Sequence, residues 1–316
     1  MSKRFSYSAS RIMGRTNANH HVVAPPQLSV GKVIHQSARK LLSTLELHAK
    51  KDRCQSIATI PFSLPTTPVV LPAAYSLADK IVTVYDQGTV GSCTANAFCQ
   101  SFNILNTVDP KFAPSRLYCY AHERMSEGQR YRLSDTGAYE SDALTWARTV
   151  GVLPESLWPY VESKVNVIPP ASLDKSAMSH RIKDVVQITG TGSDLLLKLK
   201  TAIAINKLPV MTAIAVYSSF MSDAVAATGV VPMPNPIHFN DENDRVDPFE
   251  GGHEVCLVGY NDANQTFVFA NSWGPEWGMK AMNATTRGYF SLPAAYLTNP
   301  ELAMSFYTFD SIIVVK

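Results

Sequence analysis

The apolar positions of this chain change their period along its length. Residues 29–50, SVGKVIHQSARKLLSTLELHAK, place Val30, Val33, Ile34, Leu41, Leu42, Leu45 and Leu47 at helical spacing, with Ser29 as the expected N-cap. Helical spacing returns over 92–107, 114–127 and 139–150. Later the period shortens toward two, and 208–217, 253–260, 266–270 and 287–292 read as strands. Helices gathered ahead of strands predict an α+β fold and not alternating βαβ units.

Between the first helix and the rest lies IPFSLPTTPVVLP at 60–72. Its four prolines cannot continue a helix, so it reads as a linker with a domain boundary near residue 70. The expected organisation is an N-terminal extension, 1–70, and a main domain, 71–316. Residues 232–250, PMPNPIHFNDENDRVDPFE, interrupt the strand region as a surface loop or a flap over a cleft. The acids Asp241, Glu242, Asp244 and Asp247 within it do not fit the EF-hand pattern, and no metal is expected.

Composition narrows the class. No run approaches the roughly 20 apolar residues that span a bilayer. The opening MSKRFSYSASRIMGRT has no apolar block of signal-peptide length, so classical secretion is not expected. The net charge of +2 hides an asymmetry: residues 1–45 carry +7 and no acid, and the remainder carries −5. The basic arm reads as a solvated tail, as an Arg- and Ser-rich transit peptide, or as a segment that docks on its own acidic body or on a polyanion. Nucleic acid would be reached only through residues 1–45. The five cysteines, Cys54, Cys93, Cys99, Cys119 and Cys256, are odd in number and show no Cys-x-x-Cys spacing. That argues against a disulfide framework or a zinc site and for a reducing compartment, cytoplasm or virus particle.

The candidate chemistry starts at YDQGTVGSCTANAF, 85–98. Ser92 is placed to cap a helix beginning at Cys93, and Phe98, Phe102 and Leu105 are spaced to anchor it in a core. A thiol on that first turn feels the positive end of the helix macrodipole, which favours the thiolate. Gly88 and Gly91 let the chain turn tightly beforehand. This window alone leaves open both a buried inert cysteine and a nucleophile. A thiolate needs an imidazole, and GGHEVCLVGY at 251–260 offers His253 at the start of a strand. A lone histidine there is equally a satisfied core group. In FVFANSWGPEWG, 267–278, a strand delivers Asn271, with Trp273 and Trp277 behind it. The Asn271 carboxamide oxygen would accept the Nδ1–H of the imidazole and leave Nε2 toward the sulfur. An indole stacked on the pair would exclude water. This is the logic of a Cys-His-Asn triad.

Together QGTVGSC, GGHEVCLVGY and NSWGPEWG resemble the papain-like cysteine peptidases. PSRLYCYAHERMSEG at 114–128, DTGAYESDALTWARTVGVLPESLWPY at 135–160 and GYFSLPAAYL at 288–297 resemble the bacterial and viral branch of that family. The likeness covers roughly residues 71–297. Residues 1–70 show no clear likeness to the usual pro-region helices. The resemblance implies Cys93 as nucleophile, His253 as general base and then acid, and Asn271 as its orienter. Gln87 would supply the oxyanion hole together with the Cys93 backbone N–H. The implied reaction is peptide hydrolysis through a thioester, without a cofactor, on a protein or peptide substrate.

The implied fold has two lobes, a helical one and an antiparallel β-barrel-like one, with the cleft between them. Gly137 and Ala138 match the cleft edge, Ala213 and Glu254 match positions lining the main specificity pocket, and Trp273 is grouped with these substrate-side residues. Glu254 stands where a small residue is usual, which would admit a basic side chain. Cys93 and His253 are 160 residues apart, beyond the family's roughly 130–150, and the 232–250 insertion accounts for the excess. Two departures stand out: Val90 replaces a common cysteine, and Thr94 replaces the tryptophan usual after the nucleophile. Cys99, Cys119 and Cys256 are expected to pack in cores. Two functions are compatible with this reading. One is a cysteine peptidase made as a zymogen, its arm in the cleft. The other is a silent papain-like scaffold serving as a binding or structural component of a larger assembly.

Overall fold

The structure is a computed structural model and describes residues 58–235 and 247–315. The helix expected at 29–50 and most of the 232–250 insertion lie outside the described residues.

Three helices come first: α1 (Cys93–Leu105), α2 (Arg116–Ser126) and α3 (Glu140–Thr149). Each forms where the apolar period predicted one. On α1, Phe98, Cys99 and Phe102 turn one buried stripe toward α2 and α3, where Leu117, Tyr120, Leu144 and Trp146 complete a core. Phe98 meets Trp146 edge-on at 6.1 Å. The helix ends at Asn106, whose side chain bonds both the carbonyl and the N–H of Asp109 and so closes the chain into a turn. Ser115 caps α2 by accepting the Tyr118 N–H at 3.2 Å.

The strands build a second core. β1 (Ile60–Pro61), β2 (Ala74–Ser76), β4 (Val185–Gln187), β5 (Val210–Tyr217), β6 (Phe249–Asn261), β7 (Thr266–Ala270), β8 (Met279–Lys280), β9 (Arg287–Pro293) and β10 (Ala303–Phe309) form one nine-stranded sheet. Its order is β1-β4-β10-β5-β6-β7-β9-β8, with β2 also on β6. All pairings are antiparallel except β1 with β4. A separate pair joins β3 (His180–Ile182) to β11 (Ile312–Val314). The described strands do not close on themselves, so the expected barrel-like lobe is an open sheet with one wall curled by bulges in β5–β6, β6–β7 and β10–β5.

Helix α5 (Gly192–Ala204) covers this sheet, and the apolar pattern did not reveal it. The run Leu195-Leu196-Leu197 blurs the stripe. Leu195, Leu199, Ala202 and Ile203 are the residues that pack inward, while Leu197 stays 45% exposed. Short helices α4 (Asp174–Ala177), α6 (Asp223–Thr228) and α7 (Ala294–Leu297) and three 3-10 turns, Ala78–Lys80, Glu162–Lys164 and Ala171–Leu173, complete the described elements. No helix among the described residues is long and apolar enough to cross a membrane.

The proline-rich segment is not a simple spacer. Ile60 and Pro61 pair with Val186 and Gln187, and the Phe62 N–H reaches the Gln187 carbonyl at 2.9 Å. Residues 65–70 are then exposed. Helix α1 ties the two cores together: Phe98 and Phe102 serve the helical core, Ile104 the sheet core. Ser101 Oγ on α1 lies 3.2 Å from Cys256 Sγ on β6.

Candidate active site

The mouth of α1 is shaped by the loop before it. Gly88 has φ +57°, and a Cβ there would collide with the Glu162 carboxylate. That carboxylate is anchored by the N–H and hydroxyl of Thr89, at 3.2 and 2.6 Å. The Gly91 N–H donates to Asp135 Oδ1 at 3.0 Å, which also accepts the Tyr120 hydroxyl at 2.6 Å. Ser92 holds the N-cap position but does not cap. Its hydroxyl pairs instead with the Tyr160 hydroxyl at 2.7 Å, and Asn96 Nδ2 takes its carbonyl at 2.8 Å. The first-turn N–H groups of α1 therefore keep their pull on an anion at Cys93, unclaimed by a serine oxygen. Cys93 is buried, at 1% exposure.

His253 lies on β6, in register with Ile214 of β5. Its Nε2 is 2.8 Å from Asn271 Oδ1. The same Oδ1 accepts the Ser272 N–H at 2.9 Å. That second bond fixes which end of the carboxamide is oxygen, so Nε2 must carry the proton. The ring is thus turned opposite to the sequence expectation: Nε2 faces the amide, and Nδ1 is the basic nitrogen of the neutral tautomer. Local sequence could not reveal this, because the side of the ring that meets Asn271 is set by the fold and the tautomer by the Ser272 N–H. Trp273 stacks on the imidazole, with centroids 5.0 Å apart and planes at 25°. Phe220 and Trp277 pack edge-on against Trp273 at 5.5 and 5.0 Å.

Gln87 connects the two halves. Its N–H donates to the Ser272 carbonyl at 2.8 Å, and its Oε1 accepts the Ser272 hydroxyl at 2.6 Å. Its Nε2 donates one hydrogen to the Val90 carbonyl at 2.9 Å, which orients the second. A bridge from Asp86 to Trp273 and a bond from the Gly274 N–H to the Tyr85 carbonyl, 2.9 Å, extend the seam. One hydrogen-bonded path thus runs Gln87–Ser272–Asn271–His253. Ser101 is about 12 Å along α1 from Cys93, and Cys256 about 10 Å along β6 from His253. Ser101 against Cys256, together with Asn96, Ala97 and Gln100 against Glu254 and Val255, shows that α1 and β6 run alongside one another in the same direction, from the Cys93 and His253 ends onward. The intervening level is a small cavity of about 10 Å³ lined by Asn96, Ala97 and Gln100 of α1 and by Glu254, Val255 and Asn271 across from them.

The remaining named residues fall as follows. The Gly137 N–H donates to the Tyr120 hydroxyl at 2.9 Å, and Ala138 is buried beside it. Ala213 and Glu254 are cross-strand partners in β5 and β6, both buried. Glu254 shares its face of the strand with Cys256, toward α1. None of the four described cysteines forms a disulfide. Burial pushes the Cys256 thiol up to about 12 and the Cys119 thiol well above its ordinary value, which suits inert packing. Sequence reasoning missed Ser272, although it sits inside the NSW motif, and missed Asp135 and Tyr120, whose pairing is set only by the fold. Among the described residues no cluster of His, Cys, Asp or Glu is arranged for a metal ion.

A helix-borne thiol, an imidazole bonded to a carboxamide and a tethered glutamine, near the seam of two cores, are the kinds of group a cysteine protease uses. The chain belongs to the papain family of cysteine proteases: residues 71–292 match that family. It is 33% identical over 273 residues to an uncharacterised peptidase C1-like protein of Acanthamoeba polyphaga mimivirus, covering 82% of this chain and 81% of that one. Among solved structures it resembles xylellain, a cysteine protease from Xylella fastidiosa, with 30% identity and a TM-score of 0.63 over 80% of this chain and 95% of that one. The fold is also that of a procathepsin B from Trypanosoma congolense, at 14% identity and a TM-score of 0.60, covering 90% and 92%.

Proposed function

We propose that this protein is a peptidase that cleaves peptide bonds with Cys93, His253, Asn271 and Gln87. The observation that carries the reading is the path Gln87–Ser272–Asn271–His253, which orients an oxyanion donor and a general base together. Cys93 Sγ attacks the substrate carbonyl as the thiolate, its proton resting on His253 Nδ1. Negative charge gathers on the carbonyl oxygen. The second Nε2 hydrogen of Gln87 and the Cys93 backbone N–H receive it, each worth about 3 kcal/mol in such sites. The C–N bond breaks as Nδ1–H protonates the leaving amine, leaving a thioester. Water, deprotonated by His253, then releases the acid and restores the thiol.

Substrate specificity follows from the same assignment. By the family resemblance Glu254, buried beside Ala213, stands at the main specificity pocket, and its carboxylate turned into that pocket would favour Arg over Leu at the second residue before the scissile bond. Equal cleavage of matched Arg and Leu peptides would remove that assignment.

The basic arm completes the proposal. The +7 of residues 1–45 against −5 for the rest, and a fold shared with a proenzyme, support a zymogen whose arm lies in the cleft. Its removal falls between residues 50 and 75, where 65–70 are exposed. The test is labelling by a thiol-directed epoxysuccinyl compound, with the chain intact and trimmed, read by mass spectrometry and peptide hydrolysis. Label on Cys93 alone, gained with hydrolysis on trimming, is expected. A trimmed, folded chain that takes no label and cleaves nothing would leave the scaffold reading in its place.

A further inference from the structure

Glu123 is a carboxyl group that the chemistry above does not use. It lies on α2, wholly buried, and faces α1. Thr94, the residue directly after Cys93, donates its hydroxyl to Glu123 Oε2 at 2.8 Å. One turn earlier on α2, Cys119 Sγ donates to Oε1 at 3.5 Å, and Cys99 of α1 in turn meets Cys119. Two more acids bear on Glu123, Glu127 from its own helix and Asp142 from α3, and one cation, Arg124. Arg124 already serves the carbonyls of Tyr120, Ser134 and Val165. Burial above all, with the neighbouring acids, pushes the Glu123 carboxyl up to about 8, against the pull of its bonds from Thr94 and Cys119. At neutral pH it therefore keeps its proton.

Burying an ionisable group in a helical core is costly. What distinguishes the place is its neighbour. Position 94 is where the resemblance leads one to expect tryptophan, and here a short threonine reaches a longer acid instead. We propose that Glu123 is a positioning residue for Cys93, pinning the first turn of α1 through the Thr94 hydroxyl. The proposal rests on the reading of Cys93 as the nucleophile. A neutral acid accepts the Thr94 bond without setting an anion one residue from a sulfur that must itself be anionic. Once ionised, it would oppose the thiolate and offset the help of the helix N-terminus.

The experiment compares wild type with Glu123→Gln, Glu123→Ala and Thr94→Val, using the full chain after whatever processing activates it. Two readouts are followed between about pH 5 and pH 9.5: kcat and KM on a fluorogenic peptide, and the rate of Cys93 alkylation by iodoacetamide, assigned by mass spectrometry. Glu123→Gln should match wild type below about pH 7. Above it, the wild-type to Gln ratio should fall in both readouts along a one-proton curve with its midpoint at about 8. Thr94→Val and Glu123→Ala should lower kcat about tenfold near pH 6 with little change in KM, the mark of an interaction made in the transition state. A ratio flat across the range, or Thr94→Val with wild-type kcat, overturns the proposal. If Glu123→Ala fails to fold, Thr94→Val and Glu123→Gln still decide it. If wild type is alkylated at Cys93 yet hydrolyses no peptide, the peptidase reading fails, while the alkylation ratio still judges Glu123.

Discussion

The hydroxyl of Ser272 donates to Gln87 Oε1 at 2.6 Å, across 185 residues of sequence and from one core of the molecule to the other. Because Ser272 also gives its N–H to Asn271 Oδ1, one serine aligns two carboxamides with different tasks. In the proposed mechanism the first aims a donor at developing charge, and the second sets the tautomer of the base.

Removing that hydroxyl tests the first task. In Ser272→Ala the Gln87 amide loses its acceptor-side anchor but keeps its backbone bonds. kcat for peptide hydrolysis should fall about tenfold, with KM within about threefold. Gln87→Ala, which deletes the donor, should cost about 10²- to 10³-fold. Steady-state kinetics on one fluorogenic peptide distinguishes the two. Equal rates for Ser272→Ala and wild type would detach Gln87 from the oxyanion.

The second task is tested at Asn271. Asn271→Ala takes the acceptor from His253 Nε2 and frees the ring to adopt either tautomer. kcat should drop roughly 10²-fold, with the fold retained under the Trp273 stack. Proton-detected NMR of the imidazole N–H should lose the protected Nε2 resonance. A mutant that keeps both rate and resonance would contradict the assignment.

Burial of Glu123 has a stability signature separate from its role in catalysis. Its carboxyl is raised to about 8 in the folded chain, against an ordinary value of 4.5. The unfolded chain thus gives up a proton that the folded chain retains between those values. This contribution to stability is full below about 4.5 and is lost as pH rises through about 8, on the order of a few kcal/mol. Glu123→Gln should flatten that loss and melt higher than wild type near pH 8, by differential scanning calorimetry. A wild-type Tm that rises from pH 5 to 8 with the same slope in the mutant would refute this.

His122 shows the opposite sense at the acid end. Burial, opposed by Asp174, lowers its imidazole to about 4, and the ring stacks on Trp146. The unfolded chain takes up a proton near 6.5 that the folded chain refuses until about 4. Stability is therefore complete above about 6.5 and is lost as pH falls to about 4, on the order of 3 kcal/mol. His122→Phe keeps a ring against Trp146 without the titration. Chemical denaturation at pH 4.5 and 7 should show a smaller difference in the mutant than in wild type.

How much of this was legible follows from where each feature is encoded. Helices α1, α2 and α3 and strands β5, β6, β7 and β9 declare themselves through local period, because each buries one face. Cys93, His253, Asn271 and Gln87 sit in short segments whose residue types already suit the chemistry. The short strands at Ile60–Pro61 and Val185–Gln187 are invisible locally: the first exists by pairing with the second, and the second by lying between the first and β10. Ser92 looked like a cap, but Tyr160, 68 residues away, takes its hydroxyl. Which nitrogen of His253 carries the proton hangs on the Ser272 N–H, which fixes the Asn271 amide. Glu123 has no signal at all, since the Thr94 hydroxyl that gives it meaning is 29 residues away.

Helix α1 contributes side chains to both interiors, Phe98 and Phe102 to one and Ile104 to the other. Neither half can melt without disturbing the rod on which the sulfur is mounted. Thiol reactivity is therefore a built-in gauge of the integrity of the entire described domain, and damage far out in either half should first announce itself as a dulled nucleophile.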